Sequence, residues 1–187
     1  MTRFTLRHLF ALSAVFVISA CTSLPTELNA SSEETVISDY KTWVESGTAQ
    51  GSEVRLGGVI ANITNLKDRT RIEVVNVPID SVGRPSVKVE PQGRFVGYVN
   101  EFLDPVTFSE GRLVTLLGNT AEPETGKVGD FEHKYPVMTV KGYHLWRVEE
   151  RIIMQDSGPY LSHHCLSYFC RDRDDMYREG RVIQEVK

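Results

Sequence analysis

The apolar positions of the chain change their period several times, and each change marks an element. Residues 9–18 (LFALSAVFVI) form an unbroken run of apolar and small side chains behind Arg3 and Arg7, with no acid before it. Val36, Ile37, Tyr40, Trp43 and Val44 then recur at helical spacing behind Ser31 and Glu34, which suit a capping box. This predicts a helix ending before Gly47 and lying on the core. From Ser52 to Arg151 the pattern is that of strands and turns. Strands are expected over residues 54–64, 70–79, 93–99, 112–120 and 137–148, with Gly57-Gly58 forming a bulge or sharp coil in the first. Residues 126–134 read as a loop followed by a strand start.

Five coiled, glycine-broken strands with no helical pattern between them predict a mainly β fold. The expected form is a small five-stranded OB-like barrel with one N-terminal amphipathic helix and an irregular C-terminal tail. A β-sandwich is the alternative. Residues 149–187 are rich in His, Cys, Asp and Arg and poor in apolar period, which suggests loop with a short helix between Arg173 and Lys187.

The apolar run at the N-terminus is half the length of a membrane-spanning helix, which needs about 20 apolar residues. With its basic flank it has the build of a secretory signal. The junction Ile18-Ser19-Ala20-Cys21 resembles the lipobox of bacterial lipoproteins, in which Ile18, Ser19 and Ala20 would direct the signal peptidase. The resemblance implies cleavage before Cys21, a thioether-linked diacylglycerol on its sulfur and an acyl group on the new amino terminus. Each buried methylene contributes about 0.8 kcal/mol, so such chains hold a protein to a membrane without spanning it. Thr22 stands where lipoproteins kept in the inner membrane carry Asp, which favours the outer membrane, facing the periplasm.

The expected organisation is therefore a signal peptide over 1–20, a lipidated tether over 21–30, a helix-plus-barrel domain over 31–151 and a partly ordered tail over 152–187. A nine-residue tether at about 3.4 Å per residue would reach roughly 30 Å. Removing residues 1–20 takes away two Arg and no acid, so the net charge falls from −4 to −6. That charge gives no footprint for nucleic acid, although OB-like barrels often bind single strands, and Phe95, Tyr98 and Trp146 are of a kind to stack on bases.

A wider resemblance covers about a hundred residues. Arg55-Leu56-Gly57-Gly58, Pro78-Ile79-Asp80 with Arg84-Pro85, Gly93-Arg94-Phe95 and Phe102-Leu103-Asp104-Pro105 occur in order, followed by Gly111-Arg112, Val114 to Gly118, and the stretch from Tyr135-Pro136 to Leu145-Trp146. Together with the lipobox they resemble the Slp, or starvation-inducible, family of outer membrane lipoproteins. Glu101 departs from the pattern, where a Gly is expected, and the tail lacks the family's Tyr- and Trp-rich character. The resemblance implies a location and a link to envelope stress, and it carries no catalytic residues.

The remaining chemistry is sparse. Cys165 and Cys170 are the thiols left once Cys21 is acylated; a disulfide, two free thiols, or a metal site with His163 and His164 are all open, with the disulfide favoured in an oxidising compartment. Asp104, with Glu101 or Glu110, has the chemistry of a carboxylate catalyst, but an Asp before Pro more often fixes a turn. His144 is placed on one strand face with Met138, Val140, Trp146 and Val148, as a partly buried ring rather than a general base. No nucleophile elbow, zinc-protease helix or phosphate loop occurs. The expectation is a protein without catalysis, cofactor or metal. It would bind an envelope protein or small ligand through a surface drawn from Phe95, Tyr98, Phe102, Asp104 and Trp146, besides the outer membrane lipid reached through Cys21. An envelope hydrolase acting on cell-wall or lipid substrates is the alternative.

Overall fold

The computed structural model describes residues 23–46, 51–154 and 180–187. Five strands, β1 (Glu53–Asn65), β2 (Thr70–Val77), β3 (Gly93–Val99), β4 (Leu113–Val128) and β5 (Phe131–Trp146), bond in the ring β1-β2-β3-β5-β4 and close on β1. All neighbours are antiparallel except β3 and β5, which run parallel through Val96 opposite Val137 and Tyr98 opposite Thr139. This is the expected mainly β, OB-like barrel.

The alternating positions explain the closure. Leu56, Ile72, Val74, Phe95, Leu116 and Met138 point inward and are buried together. Strand β1 has partners on both sides at Gly57 and Gly58, which face Val77 and Asn76 on one side and Thr115 and Val114 on the other. A Cβ on Gly58 would run into the carbonyl oxygen of Val75, and one on Gly57 would meet Ile79, Pro85 and Thr115. The glycine pair thus permits close approach from both faces, whereas the bulge of β1 lies between Ile60 and Asn62.

One helix, α1 (Tyr40–Glu45), stops one end of the barrel. Its cap is Asp39, whose carboxylate accepts from the Thr42 N–H at 2.8 Å and is held below the usual carboxylate range by that bond. Trp43 is fully buried, lies edge-on to Phe95 and donates its indole N–H to Thr120 Oγ1 at 2.9 Å. The helix is shorter than its periodicity predicts because Ile37 is used elsewhere, in a parallel bridge to Val54.

Outside the barrel lies a second apolar layer. Leu28, Leu113, Leu117 and Trp146 are buried together, with Leu24, Ala30 and Val186 packed against them. The segment expected as a free tether is therefore docked from Leu24 onward. Thr26–Leu28 forms a 3-10 turn, the Glu27 carbonyl sits where any side chain at Gly142 would be, and Arg55 donates to the Leu28 carbonyl and pairs with Glu33.

The tail also departs from expectation. Residues 180–186 are a strand rather than a helix: β6 (Val148–Met154) and β7 (Gly180–Val186) form a two-stranded antiparallel ribbon, closed at its base by reciprocal bonds between Arg147 and Lys187.

Candidate functional site

The barrel end opposite α1 is closed by the β3–β4 loop, residues 100–112. Leu103 and Phe108 are buried in the core, and Phe108 meets Tyr143 edge-on at 5.4 Å. Their backbone is tied to the β1–β2 turn: Asn65 Nδ2 donates to the Leu103 carbonyl at 3.0 Å, and the Leu103 N–H donates to Thr70 Oγ1 at 3.2 Å. Glu101 accepts from the Tyr143 hydroxyl at 2.7 Å. Burial, reinforced by this carboxylate, pushes the Tyr143 hydroxyl up to about 12.

Asp104 organises the centre of the loop. Its carboxylate accepts from the Val106 N–H at 3.1 Å and the Thr107 hydroxyl at 3.0 Å, and its carbonyl accepts from the Phe108 N–H at 2.9 Å. Those bonds, the Val106 N–H first, keep the carboxyl below its usual range, so it stays an ionised acceptor. The turn reading of Asp104 is the one its contacts support. With Leu103 and Phe108 held inside, Phe102 and Val106 are left 72% and 82% exposed, and Leu66 of the adjoining turn is 44% exposed. Three apolar side chains stand on a backbone pinned from below.

The other residues expected on a binding surface are not brought to this loop. Phe95 is in the barrel core, because an inward strand position at β3 faces Trp43. Trp146 is buried in the outer layer and donates its indole N–H to Thr115 Oγ1 at 3.0 Å. His144 does not share a face with Met138 and Val140. An extra residue, Lys141, breaks the β4–β5 register, after which Tyr143 and Leu145 turn inward and His144 outward. There its Nδ1 lies 2.6 Å from Glu27.

Tyr98 lies on the outer face of β2 and β3, the face with which OB barrels commonly hold ligands. Here that face is occupied by the chain itself. Strands β4 and β5 extend well past the expected boundaries as a hairpin arm turning at Gly129-Asp130, so residues 126–128 and 131–134 are strand where a loop followed by a strand start was expected. Glu124 of the arm pairs with Arg71 at 2.7 Å and accepts from the Tyr98 hydroxyl at 2.6 Å. Buried Glu73 pairs with Arg94 at 2.7 Å and accepts from the Tyr135 hydroxyl at 3.2 Å. His133 stacks edge-on to Tyr135 on the same arm. In sequence the arm's polar residues resemble a solvated loop.

Ile18, Ser19, Ala20 and Cys21, and Cys165 and Cys170 with His163 and His164, lie outside the described residues. Among the described residues no His, Cys, Asp and Glu group has the arrangement of a metal site, and no helix is long and apolar enough to cross a membrane.

Comparison with known proteins decides the family. The sequence model of the outer membrane lipoprotein Slp family matches residues 18–178, a span that includes the Ile18 to Cys21 junction. The chain belongs to this family. It is 32% identical over 149 residues to the uncharacterized lipoprotein YeaY of Escherichia coli (strain K12), covering 80% of this chain and 77% of that one. An uncharacterized protein of Haemophilus influenzae is 34% identical over 140 residues, covering 74% of this chain and 75% of its own. The outer membrane protein Slp of Escherichia coli (strain K12) is 27% identical over 143 residues, with 74% of each chain covered. The protein is thus an outer membrane lipoprotein. A small single-stranded DNA-binding protein from Streptomyces coelicolor superposes on 51% of this chain and 94% of its own, at a TM-score of 0.31 and 11% identity.

Proposed function

We propose that the protein acts in envelope maintenance or the starvation response by binding, without catalysis. Cys21 carries the lipid, and the pinned β3–β4 loop presents Phe102 and Val106 to an envelope protein or an apolar ligand. The observation that carries this reading is the loop itself: Leu103, Phe108 and Asp104 spend their chemistry on holding a backbone that projects two exposed apolar side chains. Ordering cost is already met in the free protein, which favours recognition by such a loop.

The acid and base groups that a hydrolase would need are engaged structurally. Asp104 caps its own turn, Glu101 holds Tyr143, and His144 holds Glu27. Occupation of the outer β2–β3 face by the arm, with a mature charge of −6, supports a protein that does not bind nucleic acid.

A complementation assay in a deletion strain, scored under starvation, tests this. Phe102→Ala with Val106→Ala should keep the melting temperature and lose complementation, whereas Asp104→Asn and His144→Gln should complement wherever they fold. A folded Asp104→Asn or His144→Gln variant without activity, beside an active Phe102→Ala/Val106→Ala variant, would overturn the binding reading in favour of the hydrolase.

A further inference from the structure

Cross-strand neighbours share a face, so one side of the β6–β7 ribbon carries the pairs Val148–Val186, Glu150–Gln184 and Ile152–Val182. Its base is seated, because Val186 packs on the outer cluster of Leu28 and Trp146. Across from Val186, Val148 is 44% exposed, and farther out the stripe is uncovered among the described residues, with Ile152 64% and Val182 56% exposed. Its single acid, Glu150, accepts from Gln184 at 2.9 Å. The opposite face mixes charge with apolar groups: Lys187 lies on Glu149 at 2.6 Å and Arg151 near Glu185 at 3.8 Å, beside Arg181, and Ile153 and Ile183 stand among them 50% and 37% exposed. A lone two-stranded ribbon is marginal in water and calls for an apolar layer against it.

The chain itself supplies one occupant. Leu24 packs on the same cluster as Val186, and only Thr22 and Ser23 separate it from Cys21, a span of roughly 10 Å. With Cys21 acylated, the lipid surface lies within that reach of the cluster from which the apolar stripe emerges. We propose that the Val148, Ile152 and Val182 face of the ribbon rests in the headgroup and upper acyl region of the membrane that holds Cys21, so that the protein touches its membrane through two elements. This rests on the reading of Cys21 as the lipidated residue and adds a second contact to it. Beside the stripe, Val87 and Lys88 face residues 181–184 across a groove of about 540 Å³. Lys88 and Arg181 at its walls have the charge to meet lipid phosphates while their stems lie along apolar surface. A mature charge of −6 leaves long-range attraction to anionic lipid weak, so apolar contact sustains the docking.

The test uses the full mature lipidated chain in vesicles of phosphatidylethanolamine and phosphatidylglycerol, doped with a phospholipid that bears a photoactivatable diazirine in its acyl chain. Peptide mapping by mass spectrometry should place lipid adducts within residues 148–154 or 180–187 and none within 100–112. Ile152→Asp with Val182→Asp should abolish the ribbon adducts while the protein stays with the vesicles; if that variant melts early, Ile152→Ser with Val182→Ser replaces it. Adducts absent from the ribbon while the Cys21 peptide carries its acyl mass would overturn the ribbon proposal and leave the anchor standing. So would adducts confined to 100–112, or crosslinks from the ribbon to a second copy or to residues 155–179 in place of lipid. A Cys21 peptide without acyl mass would overturn both.

Discussion

The Glu27 carboxylate lies 2.6 Å from Nδ1 of His144, which clasps the Thr26–Leu28 turn to the outside of β5. The contact exists because Gly142 leaves room for the Glu27 carbonyl and because the Lys141 insertion turns His144 outward. Leu28 then fills the outer layer beside it. With the anchor proposed at Cys21, this clasp would keep the barrel close to its membrane, where a free tether would reach some 30 Å.

The clasp predicts a pH effect. The bond to His144, above all, lowers the Glu27 carboxyl below its ordinary value of 4.5. A carboxyl lowered in the folded state adds stability above its unfolded value, and that stability is lost as pH falls through the folded one. The gap in melting temperature between wild type and Glu27→Gln should be present at about pH 7 and close below about pH 4. An unchanged gap in acid would contradict the clasp.

Gly58→Val places a side chain against the Val75 carbonyl and within 2.6 Å of Val74 Cγ1. Backbone cannot yield as a side-chain tip can, so the cost should reach about 3 kcal/mol or more, a fall in melting temperature of roughly 6–12 °C. Val89→Ala, at an exposed loop position, should leave the melting temperature nearly unchanged. Equal melting of Gly58→Val and wild type would refute the close approach.

Where the pattern was strong, the fold was legible. β3 falls on its expected residues, and β1 and β2 nearly so, because each is a run rich in β-branched and aromatic residues bounded by turn residues, and long stretches of them are buried on both faces. Failures cluster where one residue has two explanations. Ile37 fits a helix period but is taken by a bridge to Val54, and His144 fits the face of Met138 until the Lys141 bulge inverts the phase. The arm beyond Thr120 pairs charges across an outer face around a small apolar cluster of Val96, Tyr135 and Val137, and its few apolar residues among many charged ones did not announce it. Phe102 of the candidate site was legible as an aromatic beside a turn motif. That Phe95 and Trp146 are core depends on Trp43 and Leu28 arriving from distant sequence.

The arm should respond to its own latch. Tyr98→Phe removes the bond to Glu124 and should cost about 1 kcal/mol in equilibrium unfolding. Combined with Glu124→Gln, the double-mutant cycle should show a coupling of about 0.5–1 kcal/mol. Strictly additive effects would mean that the two groups do not hold the arm together.

Cys165 and Cys170 should resist alkylation in protein isolated under denaturing, non-reducing conditions and react once reductant is added, as a bridge in an oxidising compartment requires. Immediate labelling of both would exclude the bridge.

The protein's attachment to the envelope depends on what Cys21 carries. The N-terminal peptide of protein recovered from outer membranes should begin at Cys21 and carry the mass of a diacylglyceryl group and an amide-linked acyl chain, and Cys21→Ser should leave the signal uncleaved and the protein without fatty-acid label. A mature chain with an unmodified Cys21 thiol, or normal fatty-acid incorporation in Cys21→Ser, would contradict it.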